Sequence, residues 1–207
     1  MGKRKNNSLS RRTGTRRYRP ICWISAEGST ERDYFTMDAF REAGVAVRFP
    51  KDVHPDRRNP SAVLKRFQKM LRTEDFRTSD EAWMVVDVDE WPACELETLI
   101  DWAREDDRRH VAISNPKFEL FLIMHFERGN GCTTAQKLDA ALKRHMPTYD
   151  KRLKRGQFHP EQILSAIGNA KAKRAGCSTE IPDPGMTDAY LLAERLIGEE
   201  LRLAKET

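Results

Sequence analysis

Four short apolar runs, at residues 21–24, 45–49, 83–86 and 111–113, alternate with stretches whose apolar residues recur at helical spacing. Tyr34, Phe35, Met37 and Phe40 mark a helix over 29–41, with Ser29 or Thr30 as its cap. Val63, Leu64, Phe67, Met70 and Leu71 mark a second, opened by Asn59 and Pro60. Leu96, Leu99, Ile100 and Ala103 mark a third, behind Pro92. Phe118, Phe121, Leu122 and His125 mark a fourth, behind Ser114-Asn115-Pro116. Strand and helix thus alternate four times within about 110 residues. A parallel strand cannot return through a tight turn and needs a crossover, so the expected class is α/β with a parallel sheet between helices.

After Gly129-Asn130-Gly131 the texture changes. Residues 132–175 read as helical and basic, 181–185 as a proline-rich linker, and Thr187 as the cap of a last helix through Leu203. Residues 1–19 are polar, without periodicity, and expected to be disordered. The expected organisation is a basic tail over 1–19, an α/β core over 20–130, and a helical C-terminal region over 131–207 packed on that core.

The net charge of +5 conceals a division. Residues 1–19 hold eight lysines and arginines and no acid, leaving the rest of the chain at −3. A cationic arm on a mildly acidic body suits a polyanionic partner, with Arg11, Arg12, Arg16 and Arg17 as phosphate contacts; a solubilising leader has the same composition. Lys151, Arg152, Lys154 and Arg155 add a second basic group in the C-terminal region. No apolar run approaches the length of a membrane span, and the basic N-terminus lacks the apolar stretch of a signal peptide. Cys22, Cys94, Cys132 and Cys177 are scattered, which argues against a zinc site or disulfide framework and fits reduced thiols in a cytoplasm.

Acids gather where strands end. Glu27 and Glu31 follow the first run, Asp87 and Asp89 the third, and Glu119 the fourth. In open α/β sheets ligands bind beyond the carboxyl ends of the strands, where converging carboxylates repel unless a cation neutralises them. Oxygen donors favour Mg²⁺ or Mn²⁺. Asp87 and Asp89, two apart, would face one side of a continuing strand. Glu27 has no helical position to explain it and reads as a ligand or as a general base on water. Glu31 is equally accounted for by the helix macrodipole, and Glu119 is a candidate ligand in a first helical turn. Lys117 is a candidate phosphate contact, while His125, on an apolar face, reads as a core residue. No phosphate-binding loop, dinucleotide fingerprint or nucleophile elbow is present.

Three blocks together resemble the RloB-like family of Toprim-type proteins, which includes the second component of the AbiL phage-defence system. They are Ile24-Ser25-Ala26-Glu27-Gly28-Ser29-Thr30-Glu31-Arg32-Asp33-Tyr34-Phe35, then Val86-Asp87-Val88-Asp89-Glu90, then Ser114-Asn115-Pro116-Lys117-Phe118-Glu119-Leu120-Phe121 through His125-Phe126. The likeness extends over about residues 20–200 and departs from the common pattern at Ala26 and Lys117, neither of which removes an acid. The resemblance implies a Toprim-like, Rossmann-like core with an acidic Mg²⁺ site. In it Glu27 is the Toprim glutamate, Asp87 and Asp89 are the metal-binding pair, and Glu31 is the second acid of the form seen in OLD-type nucleases. It also implies an AAA- or ABC-type ATPase partner that restrains the nuclease until infection.

The expectation is a metal-dependent nuclease acting on DNA or RNA in anti-phage defence. Glu27, Asp87 and Asp89 would be catalytic, and Glu27, Glu31, Asp87, Asp89 and Glu119 would hold Mg²⁺ or Mn²⁺. The alternative is a non-catalytic subunit that binds nucleic acid or an ATPase around a structural ion. A homo-oligomer is compatible with either.

Overall fold

The computed structural model describes residues 19–41, 45–50, 60–88 and 91–203. The tail residues Arg11, Arg12, Arg16 and Arg17, the helix-capping candidate Asn59 and the metal candidate Asp89 lie outside the described residues.

Four strands run parallel: β1 (Ile21–Ala26), β2 (Ala46–Arg48), β3 (Glu81–Asp87) and β4 (Arg109–Asn115). A fifth, β5 (Met186–Thr187), joins antiparallel, giving the order β2-β1-β3-β4-β5. The result is the expected α/β class, a mostly parallel Rossmann-type sheet flanked by helices and consistent with a Toprim-like core. Between β1 and β3 the chain reverses its direction of travel across the sheet, since β1 leads to β2 on one side and β2 returns to β3 on the other. That crevice is the topological switch point, where α/β sheets receive ligands.

Alternation along the strands sends side chains to two apolar layers. On one face Trp83, Val85 and Ala112 pack with Ile24 against α1 (Ser29–Phe35), α2 (Asp38–Arg41), α5 (Glu119–Ile123), α6 (Ala135–His145), α7 (Pro160–Arg174) and α8 (Ala189–Leu203). On the other, Ala82, Met84, Val86 and Ile113 pack with Trp23 against α3 (Pro60–Thr73) and α4 (Ala93–Arg104). Burying both faces explains why these strands read as continuous apolar runs. The strand edge is tied down by Asp80, fully buried, whose carboxylate accepts from the backbone N–H of Ile21 and the Trp23 indole N–H.

Several local expectations are corrected. The helix expected over 29–41 breaks after Phe35, and a separate turn forms over Asp38–Arg41. Neither Ser29 nor Thr30 caps α1; Gly28 holds the cap position without a side-chain bond, and both hydroxyls turn instead to the Lys151 carbonyl, at 3.2 and 3.1 Å. Ser114 and Asn115 do not cap a helix either. They are the last residues of β4, paired with Thr187 and Met186, and α5 begins only at Glu119 after a cis Asn115–Pro116 bond. The buried Ser114 hydroxyl lies 2.8 Å from that of Thr187, and the Asn115 amide donates to the Pro182 carbonyl. Tertiary pairing with β5 outcompetes local capping there. Thr187, expected as a helix cap, is itself in β5, although its hydroxyl does accept the Ala189 N–H at the start of α8.

Candidate functional site

Parallel register sets the geometry of the acids. Ala26 pairs with Val85, so the chain leaves β1 at Glu27 beside the level at which β3 ends in Asp87. Asp87 continues the odd-numbered face of Trp83 and Val85, directed toward the layer that contains α1 and α5. Those helices carry Glu31 and Glu119, each buried although charged residues seldom are. Glu27, Glu31, Asp87 and Glu119 therefore converge at the switch point from four separate chain positions.

The electrostatics report the same convergence. The Asp87 carboxyl is held well above the ordinary carboxylate range, first by burial and then by the charges of Glu31, Glu27 and Glu119; the Phe118 backbone N–H partly offsets this. The Glu31 carboxyl is raised to about 7 by burial and by Glu119, against the pull of the Glu31 and Gly28 backbone amides and the Lys151 charge. Two carboxylate oxygens here, Asp87 Oδ1 and Glu31 Oε2, are sealed from solvent and accept no hydrogen bond. Buried acceptors are normally satisfied, so an orphaned pair in one cluster calls for a positive partner.

Tests of fit to a divalent cation point the same way in chemistry. All donors are oxygens, the class that hard Mg²⁺ and Mn²⁺ prefer, and the repulsion that raises the carboxyl pKa values would be relieved by a cation. Among the described residues no three His, Cys, Asp or Glu side chains are gathered tightly enough to hold an ion as they stand. The described acids fit the cation by chemistry and burial, with water and substrate oxygens needed to complete its shell.

The cluster has a wall that sequence reasoning missed. Tyr149, in the segment between α6 and α7, donates its hydroxyl to Glu119 Oε1 at 3.0 Å and lies 2.8 Å from the Thr30 hydroxyl. Burial, followed by the Glu119 charge, pushes the Tyr149 phenol up, so it stays protonated. Nothing local distinguishes a tyrosine in the polar stretch Pro147-Thr148-Tyr149-Asp150. Gly28 packs against the Glu31 carboxylate: a Cβ there would stand 2.6 Å from Glu31 Oε2.

The basic candidates divide. Lys151 is exposed, adopts φ +68°, and is close enough for its charge to act on Glu31. Arg152 pairs with Asp33 at 2.7 Å, and Lys154 and Arg155 are exposed on the same segment, so this basic group borders the acids. Lys117 is ion-paired to Asp139 of α6 at 2.6 Å. His125 occupies the core as expected: Nε2 lies 2.9 Å from the Tyr34 hydroxyl, Nδ1 lies 2.9 Å from the Phe121 carbonyl, and its ring stacks on Phe158. Among the described residues no helix is long and apolar enough to cross a membrane.

Comparison with known proteins matches residues 22–196 to the family model described as RloB-like protein. No curated protein and no solved structure matches the chain.

Proposed function

The chain belongs to the RloB-like family, and from that premise we propose that it is a divalent-cation-dependent nuclease that hydrolyses phosphodiester bonds of DNA or RNA. The observation that carries this reading is the gathering of buried Glu31 and Glu119 with half-buried Asp87, whose Oδ1 is sealed, and with Glu27 beside them, at the carboxyl ends of β1 and β3. Four mutually repelling acids are a poor way to stabilise a fold and a good way to attract a cation.

Asp87, Glu119 and Glu31 would hold Mg²⁺ or Mn²⁺, with Asp89 following Asp87 in the chain and Glu27 beside them. When bound, the cation supplies charge neutralisation of the phosphate and of the oxygen that leaves. Glu27, the residue that follows β1, orients the attacking water and accepts its proton as the new oxygen–phosphorus bond forms. Lys151, Lys154 and Arg155 contact flanking phosphates, and Lys117 and Arg152 reach them if their pairs with Asp139 and Asp33 open. The arm containing Arg11, Arg12, Arg16 and Arg17 adds sequence-independent affinity. The biological setting we propose is anti-phage defence in the cytoplasm, with an AAA- or ABC-type ATPase as the restraining partner.

The test is cleavage of DNA and of tRNA with Mg²⁺ or Mn²⁺, with and without that ATPase. Asp87→Ala should abolish cleavage while the circular dichroism spectrum is retained; unchanged turnover refutes the assignment. Deleting residues 1–18 should flatten the salt dependence of binding. A second reading is favoured by the lack, among the described residues, of three ligating side chains gathered at one point. In it the protein is a non-catalytic subunit that binds nucleic acid or the ATPase, and it gains if no substrate is cut in any arm.

A further inference from the structure

The segment that joins α6 to α7 crosses the mouth of the acidic cluster and is pinned along its length. The Lys151 carbonyl accepts the Ser29 hydroxyl at 3.2 Å and lies 3.1 Å from the Thr30 hydroxyl. The Asp33 carboxylate accepts from Arg152 Nε at 2.7 Å and from the Leu153 backbone N–H at 3.1 Å. The Arg155 carbonyl accepts the Asp38 N–H at 3.1 Å. Tyr149 leads this strap, so its hydroxyl is delivered to a defined point between α1 and α5.

Counting protons gives the direction of the network. The Tyr149 hydroxyl has a single proton and donates it to Glu119 Oε1. The 2.8 Å contact between Tyr149 and Thr30 is then filled by the Thr30 proton, and the Lys151 carbonyl keeps the Ser29 hydroxyl. The relay runs from Thr30 through Tyr149 to Glu119, tying the residue next to Glu31 to the acid contributed by α5. One oxygen of the Glu119 carboxylate is thereby fixed. Such outer partners commonly set the orientation and affinity of a metal-binding carboxylate.

We propose that Tyr149 is a positioning residue of the cation site, holding Glu119 at a fixed distance from the α1 wall through its hydroxyl and Thr30. This rests on the cation-binding reading above and deepens it, since Tyr149 touches neither ion nor substrate.

The experiment is titration of the full-length protein with Mn²⁺ alone, followed by calorimetry and by electron paramagnetic resonance of the free ion, with no nucleic acid present. Tyr149→Phe should weaken Mn²⁺ binding about tenfold or more, with unaltered circular dichroism. Thr30→Val, which spares the phenol, should weaken it by less. In a Glu119→Gln background Tyr149→Phe should change nothing further, because its effect passes through that carboxylate. Equal or tighter binding by Tyr149→Phe, or full additivity with Glu119→Gln, overturns the proposal. Wild-type protein that binds no Mn²⁺ overturns the cation reading itself and this inference with it. If Tyr149→Phe fails to fold, Thr30→Val decides, and wild-type affinity in that variant overturns the relay.

Discussion

The Tyr34 hydroxyl lies 2.9 Å from Nε2 of His125, joining α1, which bears Glu31, to the chain that continues from α5, which bears Glu119. Because Nδ1 faces the Phe121 carbonyl at 2.9 Å, it carries the ring proton, and Nε2 accepts from the phenol. Burial lowers the His125 pKa to about 4, so the ring is neutral. In the unfolded chain it would titrate near 6.5. Protons therefore bind preferentially to the unfolded state between those values, and stability that is complete above about pH 6.5 is lost as pH falls through 4. The loss due to this ring is on the order of 3 kcal/mol. Urea unfolding of the wild type and of His125→Gln at pH 7.5 and 4.5 should show a smaller acid loss in the variant. Equal losses would mean that the ring is charged in the native state.

Asp87 carries the opposite sign. Its carboxyl is raised by burial and by three neighbouring acids, so stability is complete below the unfolded value near 3.9 and falls as pH rises toward the folded pKa. Asp87→Asn removes the ionisable group, and at pH 8 without metal it should raise stability by about 1 kcal/mol or more. The same substitution should abolish the stabilisation of the wild type by Mn²⁺ as well as cleavage. Thermal unfolding with EDTA and with Mn²⁺ reads both effects. A variant less stable than the wild type in EDTA would mean that Asp87 is satisfied without a cation.

Much of this was legible because parallel strands buried on both faces read as plain apolar runs, as residues 83–86 do, and because acids placed directly after them must meet at one edge. Register then does what spacing cannot show: pairing Ala26 with Val85 brings Glu27 to Asp87 across 60 residues of chain. The strand β5 was invisible because its two residues owe their conformation to Ser114 and Asn115 rather than to any pattern of their own. The same pairing made a capping motif of Ser114-Asn115-Pro116 misleading. Tyr149 left no local signal, since its meaning lies wholly in the partners 119 and 30 residues before it.

Gly28 separates stability from function. Its φ of −118° is open to any residue, so alanine strains no backbone there. The added Cβ would, however, meet Glu31 Oε2 at 2.6 Å and Cδ at 3.4 Å, and the carboxylate must move. Gly28→Ala should leave stability within about 1 kcal/mol of the wild type, since the unfolded chain also loses freedom. Mn²⁺ affinity and cleavage should fall severalfold. Calorimetric titration beside a urea melt checks the pair, and unaltered affinity would remove Glu31 from the cation site.

Asp33 and Arg152 form one ion pair, yet their removal should not cost the same. The Arg152 side chain is 69% exposed and that of Asp33 only 16%. A solvent-exposed arginine contributes little through such a pair, so Arg152→Ala should leave stability close to that of the wild type. Asp33 additionally accepts the Leu153 backbone N–H, and its loss leaves that donor without its acceptor at the strap's anchor. Asp33→Ala should cost roughly 1–2 kcal/mol and speed amide exchange in residues 149–155. Because the strap delivers Tyr149 to Glu119, Mn²⁺ affinity should weaken in Asp33→Ala and hold in Arg152→Ala. Hydrogen exchange with a parallel Mn²⁺ titration decides it: equal exchange in both variants would show that the ion pair, rather than the backbone bond to Leu153, anchors the strap.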